Sequence, residues 1–369
     1  MPRPPLRRRS EAAAMVKAPR APKPAEGAPV EPDMLDNAPP PQEATALYGH
    51  QDAVERLVEA FGGSSPPQAL LLEGPRGIGK ATLAFRLARS LLGTLPGTPL
   101  DAGLGGEPND PEGRTARQVA AGTHPGLIHL TRPWDEKGKK FKSELTVDEV
   151  RRIVPFLGST SAEGGWRVVI VDAVDDMNLN AANALLKALE EPPRRTLFVL
   201  IAHVSGRVLP TLRSRCRSIR MRPLSEAEVR AALNALRVDP QAAPLGEGSV
   251  RRALTLSAAG ADIVRSARRL LAPAMVRDVR ANHQLAEMAA QRRDDTFATV
   301  LELVLDAIAS RARDGAGRLP LSALDSYAAL YLSVTDDRRR IEVFNLDRKE
   351  MVLAVLSRLS ALDRAAGLS

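Results

Sequence analysis

An α/β core built on a mostly parallel sheet, followed by an all-helical C-terminal part, is the fold class this sequence predicts. Three observations carry it. Short apolar runs alternate with helical spacing from Tyr48 to Pro223, a glycine-rich turn at residues 74–80 joins the first apolar run to a helix, and strand signals vanish after Pro223. At 369 residues the chain exceeds one ordinary core and calls for two or three domains.

Taken in order, residues 1–45 hold 11 of the 29 prolines and no aromatic residue. Such a composition buries too little apolar surface to offset the entropy of ordering, so a disordered tail is expected. Its arginines, Arg3, Arg7, Arg8 and Arg9, lack the apolar or amphipathic segment of a targeting peptide. Val54, Leu57, Val58 and Phe61 then repeat at helical spacing. Residues 69–72 read as a buried strand, 80–92 as a helix, and 93–122 as a surface insertion with little structure of its own. A strand at 127–130 precedes a helix at 146–156, for which Thr146 and Glu149 supply a capping pattern. Strands at 166–171 and 196–202 flank a helix at 179–191 that stops at Pro192 and Pro193. Ser225 and Glu228 repeat the capping pattern, and amphipathic helices follow. The division is therefore a tail (1–45), a P-loop core (46–223), a small helical lid (224–275) and a second helical domain (276–369).

Composition narrows the function classes. No apolar run approaches the roughly eighteen residues of a membrane helix. The single cysteine, Cys216, excludes an intramolecular disulfide and a cysteine-rich zinc cluster, and fits a reducing, cytoplasmic setting. A net charge of +8 permits an anionic partner without requiring one.

Gly74, Gly77, Gly79 and Lys80 fit the G-x-x-x-x-G-K pattern of a phosphate loop set between a strand and a helix. Inward-turned backbone N–H groups, the helix N-terminus and the Lys80 ammonium all favour a polyphosphate there. The next residue of a hydrolysing loop is Ser or Thr, which ligates magnesium; here it is Ala81. Thr82 is an imperfect substitute, since one helical step turns its side chain by about 100°. Asp172 ends the strand at 166–171 in the Walker B manner, but Ala173 stands where an ATPase carries its water-polarising Glu. Asp175 and Asp176 fall in the following turn, with a solvated or helix-capping role expected. Two catalytic groups are thus missing, and ATP binding is expected to be weak or absent.

The run Ala181-Ala182-Asn183-Ala184-Leu185-Leu186-Lys187, then Leu189-Glu190-Glu191-Pro192-Pro193, Leu209-Pro210-Thr211 and Ser214-Arg215-Cys216, resembles the clamp-loader branch of the AAA+ proteins. Gly49-His50, His124-Pro125 and Gly248-Ser249 with Arg251, similar to a sensor 2 turn, extend the resemblance over about residues 46–260. Asn345-Leu346-Asp347-Arg348-Lys349 carries it more weakly into the C-terminal domain. The defective Walker positions set this chain apart from the motor subunits of that branch. Residues 93–123 contain no cysteine, so the zinc module of some relatives is excluded.

The resemblance implies an AAA+ core, a helical lid and a helical collar. It implies gamma/tau and delta clamp-loader subunits, the sliding clamp and primer-template DNA as partners. It also implies that Arg215 acts in trans on ATP held by a neighbour. Read locally, Arg215 pairs with a nearby carboxylate instead, and Arg213 and Arg217 meet solvent or DNA phosphate. Arg151 and Arg152 face either phosphates or water. His203, near the sensor 1 position, is read as a structural hydrogen-bonder. The collar helices from Asn282 onward are expected to expose apolar stripes to other subunits. Two rival readings remain: an autonomous AAA+ ATPase of helicase or initiator type, and a DNA-binding protein with a merely structural nucleotide site. Against the second, no helix-turn-helix and no aromatic platform for nucleic acid stands out.

Overall fold

The computed structural model describes residues 32, 34–35, 37–63, 65–93, 113–137, 139–158, 165–290, 294–344 and 347–367. In chain order the core runs α1 (Gln51–Gly62), β1 (Ala69–Glu73), α2 (Lys80–Gly93), α3 (Arg114–Ala120), β2 (Leu127–Leu130), β3 (Trp134–Asp135), β4 (Lys140–Phe141), α4 (Val147–Arg151) and α5 (Ile153–Gly158). It continues with β5 (Arg167–Asp172), α6 (Leu179–Glu190), β6 (Thr196–Ala202), α7 (Pro210–Arg213) and β7 (Arg217–Arg220).

Five strands form one parallel sheet in the order β2-β5-β6-β1-β7. Parallel strands need crossovers that cover both faces, and so β1 and β6 are buried along their whole length. Alternation sorts the side chains. Leu70, Leu72, Val168, Ile170, Val199 and Ile201 pack toward α1 and α2, whereas Leu71, Val169, Val171, Phe198 and Leu200 pack toward α4, α5 and α6. β1 lies between β6 and β7, which sets the loop that follows it at the sheet's C-terminal edge, one strand in from β7.

After the core come α8 (Glu226–Ala235), α9 (Val250–Ala259), α10 (Ala261–Leu270), α11 (Pro273–Val276), α12 (Val279–Ala290), α13 (Asp294–Gly315), α14 (Leu321–Phe344) and α15 (Arg348–Ala365). A small cluster around Val229, Leu233, Ala243 and Leu254 holds the lid together. A larger one unites Leu256, Val264, Leu270 and Leu271 with α12 to α15. Within it Asp363, fully buried, accepts from Arg311 Nε at 2.8 Å and Tyr327 OH at 2.8 Å, while Arg311 Nη2 reaches the Leu271 carbonyl at 2.9 Å.

Several expectations need correction. Residues 37–45 are ordered. The Arg89 guanidinium donates to the carbonyls of Gln42 (2.9 Å) and Ala44 (2.7 Å), and Leu35 and Ala38 pack on the lid cluster. Residues 1–31, with Arg3, Arg7, Arg8 and Arg9, lie outside the described residues. Part of the 93–122 insertion forms α3, which packs on α2 and buries Val119 completely. The expected helix at 146–156 is two short helices, and Thr146 makes no side-chain cap. Collar helices turn their apolar faces into their own cluster; among the described residues after 276 only Val279, Leu321 and Leu332 are large, apolar and exposed. Asn345 and Leu346 lie outside the described residues.

Candidate functional site

Residues 74–80 turn around the C-terminal end of β1 as the phosphate-loop pattern requires. Gly77 adopts φ of 77°, and a Cβ there would collide with Ser249 and Arg251 of the lid. Only glycine admits both that backbone and that approach. The lid clasps the loop from this side: Ser249 Oγ donates to the Arg76 carbonyl at 3.0 Å and Arg251 N to the Gly77 carbonyl at 3.3 Å. On the other side the His50 ring meets the Ile78 carbonyl at 2.7 Å. Gly49-His50 and Gly248-Ser249-Arg251 thus converge on the loop across the fold.

Lys80 starts α2 and is 3% exposed. Its ammonium donates to the carbonyls of Gly74 (2.6 Å) and Pro75 (2.5 Å). Burial pulls its pKa from 10.5 down to about 8; Asp172 and Asp175 work against that fall and Arg76 adds to it. Asp172, at the end of β5, lies 3.7 Å from His203 Nε2. Gly77, Gly79, Lys80, Thr82, Asp172, Ala173, His203 and Arg251 line one cleft of 410 Å³, whose outer wall is formed by residues 38–41 and 44–48.

Asp175 and Asp176 are neither solvated nor helix caps. Asp175 is buried and accepts from the backbone N–H groups of His203 (2.9 Å) and Val204 (3.0 Å), tying the end of β5 to the end of β6. Asp176 pairs with Arg132 at 3.5 Å, both side chains buried. These carboxylates fix the sheet edge, and no sequence signal marks them, since their partners come from β6 and from Arg132.

The cleft fits the phosphates of a nucleotide through loop backbone, Lys80 and Arg251. It lacks one metal ligand of a hydrolysing loop: the Ala81 side chain carries no oxygen and packs against the hydrophobic cluster.

Arg215 lies away from this cleft, after α7. Its guanidinium contacts the Thr211 carbonyl (3.2 Å) and Glu190 (3.4 Å), at the end of α6. Both partners are about half exposed, so the pair holds Arg215 with little energy and leaves it free to exchange. Arg213 differs from expectation: it donates to the Ser205 carbonyl and pairs with buried Glu73 at 3.3 Å. Arg217 is exposed on edge strand β7. Arg151 and Arg152 pair with Asp148 and Glu149 on their own turn. Burial pushes the Cys216 thiol up to about 12, which leaves it inert.

The sequence over this region is similar to that of known proteins. The family model "DNA polymerase III, delta subunit" matches residues 49–225. The subunit delta′ of DNA polymerase III from Pseudomonas aeruginosa is 43% identical over 148 residues, 40% of this chain and 41% of that protein. Its counterpart from Escherichia coli is 37% identical over 163 residues, 44% and 45% respectively.

Residues 49–225 are thus similar to the delta-prime subunits of DNA polymerase III. The matched delta-prime segment begins at Gly49 and ends at Ser225, and so it contains the loop, both Walker strands and the Ser-Arg-Cys turn. The tau subunit of Escherichia coli DNA polymerase III is more distant, at 26% identity over 227 residues, 59% of this chain and 33% of that protein. The chain spans about two-fifths to half the length of the delta-prime relatives it matches.

Proposed function

We propose that this chain is a clamp-loader subunit of DNA replication that holds nucleotide weakly or not at all, does not hydrolyse it, and supplies Arg215 to ATP bound by a neighbour. The observation that carries the reading is the split between the two sites. The cleft has loop N–H groups and Lys80 but methyl groups at Ala81 and Ala173, while Arg215 stands outside it, held by the Thr211 carbonyl and a half-exposed carboxylate.

A bound nucleotide would supply a terminal phosphate on which negative charge develops during transfer. For such charge a guanidinium is suited: it stays protonated and its planar fork bonds two oxygens at once. In this chain's own cleft, Lys80 and the loop N–H groups would bind phosphate, but Ala173 stands where the water-orienting carboxylate would be. Gamma/tau and delta subunits are the partners proposed, with the sliding clamp and primer-template DNA as what the assembly handles.

The test is Arg215→Ala in a complex reconstituted with gamma/tau and delta subunits. Assembly is expected to persist while DNA-stimulated ATP hydrolysis falls by about 10³-fold or more, the range of trans-acting arginines. Unchanged hydrolysis, or the same loss from Arg213→Ala alone, removes Arg215 from this role. Brisk turnover by the isolated chain would instead favour an autonomous ATPase.

A further inference from the structure

The hairpin formed by β3 and β4 has no part in the cleft or the Arg215 rim. Its composition departs from the rest of the chain. Of 52 basic side chains only nine are lysines, and four of those nine, Lys137, Lys139, Lys140 and Lys142, fall within six residues here. One of the two tryptophans is here as well. Trp134 and Phe141, seven positions apart in sequence, are brought opposite each other as a cross-strand pair, ring centroids 5.0 Å apart and edge to face at 75°.

The hairpin is built to stay in place. Buried Arg132 at its base pairs with Asp176, and Lys142 N donates to the Pro133 carbonyl at 2.8 Å. Leu145, just beyond it, is fully buried, and its N–H donates to the Asp176 carbonyl at 2.9 Å. Three carboxylates accompany the lysines: Asp135, whose Oδ1 accepts from the Lys137 backbone N–H, Glu136 and Glu144. Lys137, Lys139 and Lys142 are exposed, and Trp134 and Phe141 are half-buried, so cationic groups and aromatic surface meet solvent together.

We propose that this hairpin is a contact site for single-stranded DNA, with the lysines following the phosphates and the Trp134–Phe141 pair offering a ring face to a base. Flexible ammonium groups beside a fixed aromatic platform suit a strand whose bases are unpaired, and they read no sequence. A duplex presents its phosphates equally well but keeps its bases stacked inside. The inference rests on the proposed replication role only for the choice of DNA as the nucleic acid.

The experiment is fluorescence anisotropy of the full chain with labelled oligo(dT) of about twenty nucleotides, titrated from about 50 to about 200 mM salt. Replacing Lys137, Lys139, Lys140 and Lys142 together by Ala is expected to weaken binding tenfold or more at the lower salt. The slope of log affinity against log salt should shrink by about 0.7 for each phosphate that the lysines no longer neutralise. Replacing the exposed Arg265, Arg268, Arg269 and Arg280 by Ala removes the same charge elsewhere and should change affinity less than threefold. In a Trp166→Phe background, whose only tryptophan is Trp134, oligo(dT) should quench the fluorescence, and a duplex of equal length should bind more weakly than the single strand.

Equal weakening in the lysine and arginine variants would overturn the proposal, as would the absence of quenching or a preference for duplex. A chain that binds oligo(dT) through the hairpin but supports no clamp loading would sink the proposed function and leave this site standing. The reverse result would do the opposite.

Discussion

Lys80 is buried at the start of α2, and the cost of charging it there is measurable. An unfolded lysine titrates near 10.5 and this one at about 8, so between those values the unfolded chain binds more protons than the folded one. Stability contributed by this group therefore rises as pH increases through that window. Comparing urea unfolding at about pH 8 and about pH 10, the parent chain should gain up to about 2 kcal/mol more than Lys80→Met does. An identical gain in both proteins would mean that the Lys80 pKa is not depressed in the folded chain. The residue itself was legible from the loop pattern, whereas its hydrogen bonds to two loop carbonyls were not. Asp175 and Asp176 mislead a sequence reading for a related reason. A carboxylate after a strand looks solvated unless one knows that the neighbouring strand end brings two N–H groups to it.

Two capping patterns of the same form have different fates. At Ser225 the full reciprocal box is made, with Glu228 returning a bond to the Ser225 N–H at 2.7 Å. At Thr146 the side chain makes no cap, because α4 is only five residues long and Glu149 is drawn to Arg152 one turn on. Ser225→Ala should cost about 1 kcal/mol in chemical denaturation, and Thr146→Ala only a few tenths. Comparable losses at both sites would mean that Thr146 caps its helix in solution.

β1, β5 and β6 could be read from sequence because apolar runs of five to seven residues leave few alternatives, and β2, at the sheet's edge, because Ile128 and Leu130 alternate inward. β7 was missed because as an edge strand it turns only Ile219 inward and carries Arg217 and Arg220 outward. β3 and β4, two residues each, are too short for any periodicity, which is why the pairing of Trp134 with Phe141 could not be foreseen.

At the scale of the whole chain, contacts tie together segments that composition separates. The proline-rich stretch at 37–45 suggested disorder, since proline removes donors and apolar surface is scarce. Yet carbonyls remain, and Arg89 takes two of them while Leu35 and Ala38 find the lid. The collar is likewise continuous with part of the lid. Leu256, Val264, Leu270 and Leu271 share one cluster with α12 to α15, Arg311 holds the Leu271 carbonyl, and Arg252 of α9 pairs with Asp306 of α13.

A cut after residue 275 would therefore strip the cover from those four side chains, although the amphipathic pattern makes it look like a boundary. A cut after Arg222 removes the lid as well and leaves the sheet with its two helical layers intact. The chain ending at 275 should bind a hydrophobic dye in its native baseline and tend to aggregate, while the chain ending at 222 should melt cooperatively with little dye bound. If the longer fragment proves the cleaner one, α9 and α10 are stable without the collar, and the apolar faces of α12 to α15 become available for the contacts between subunits that their burial here argues against.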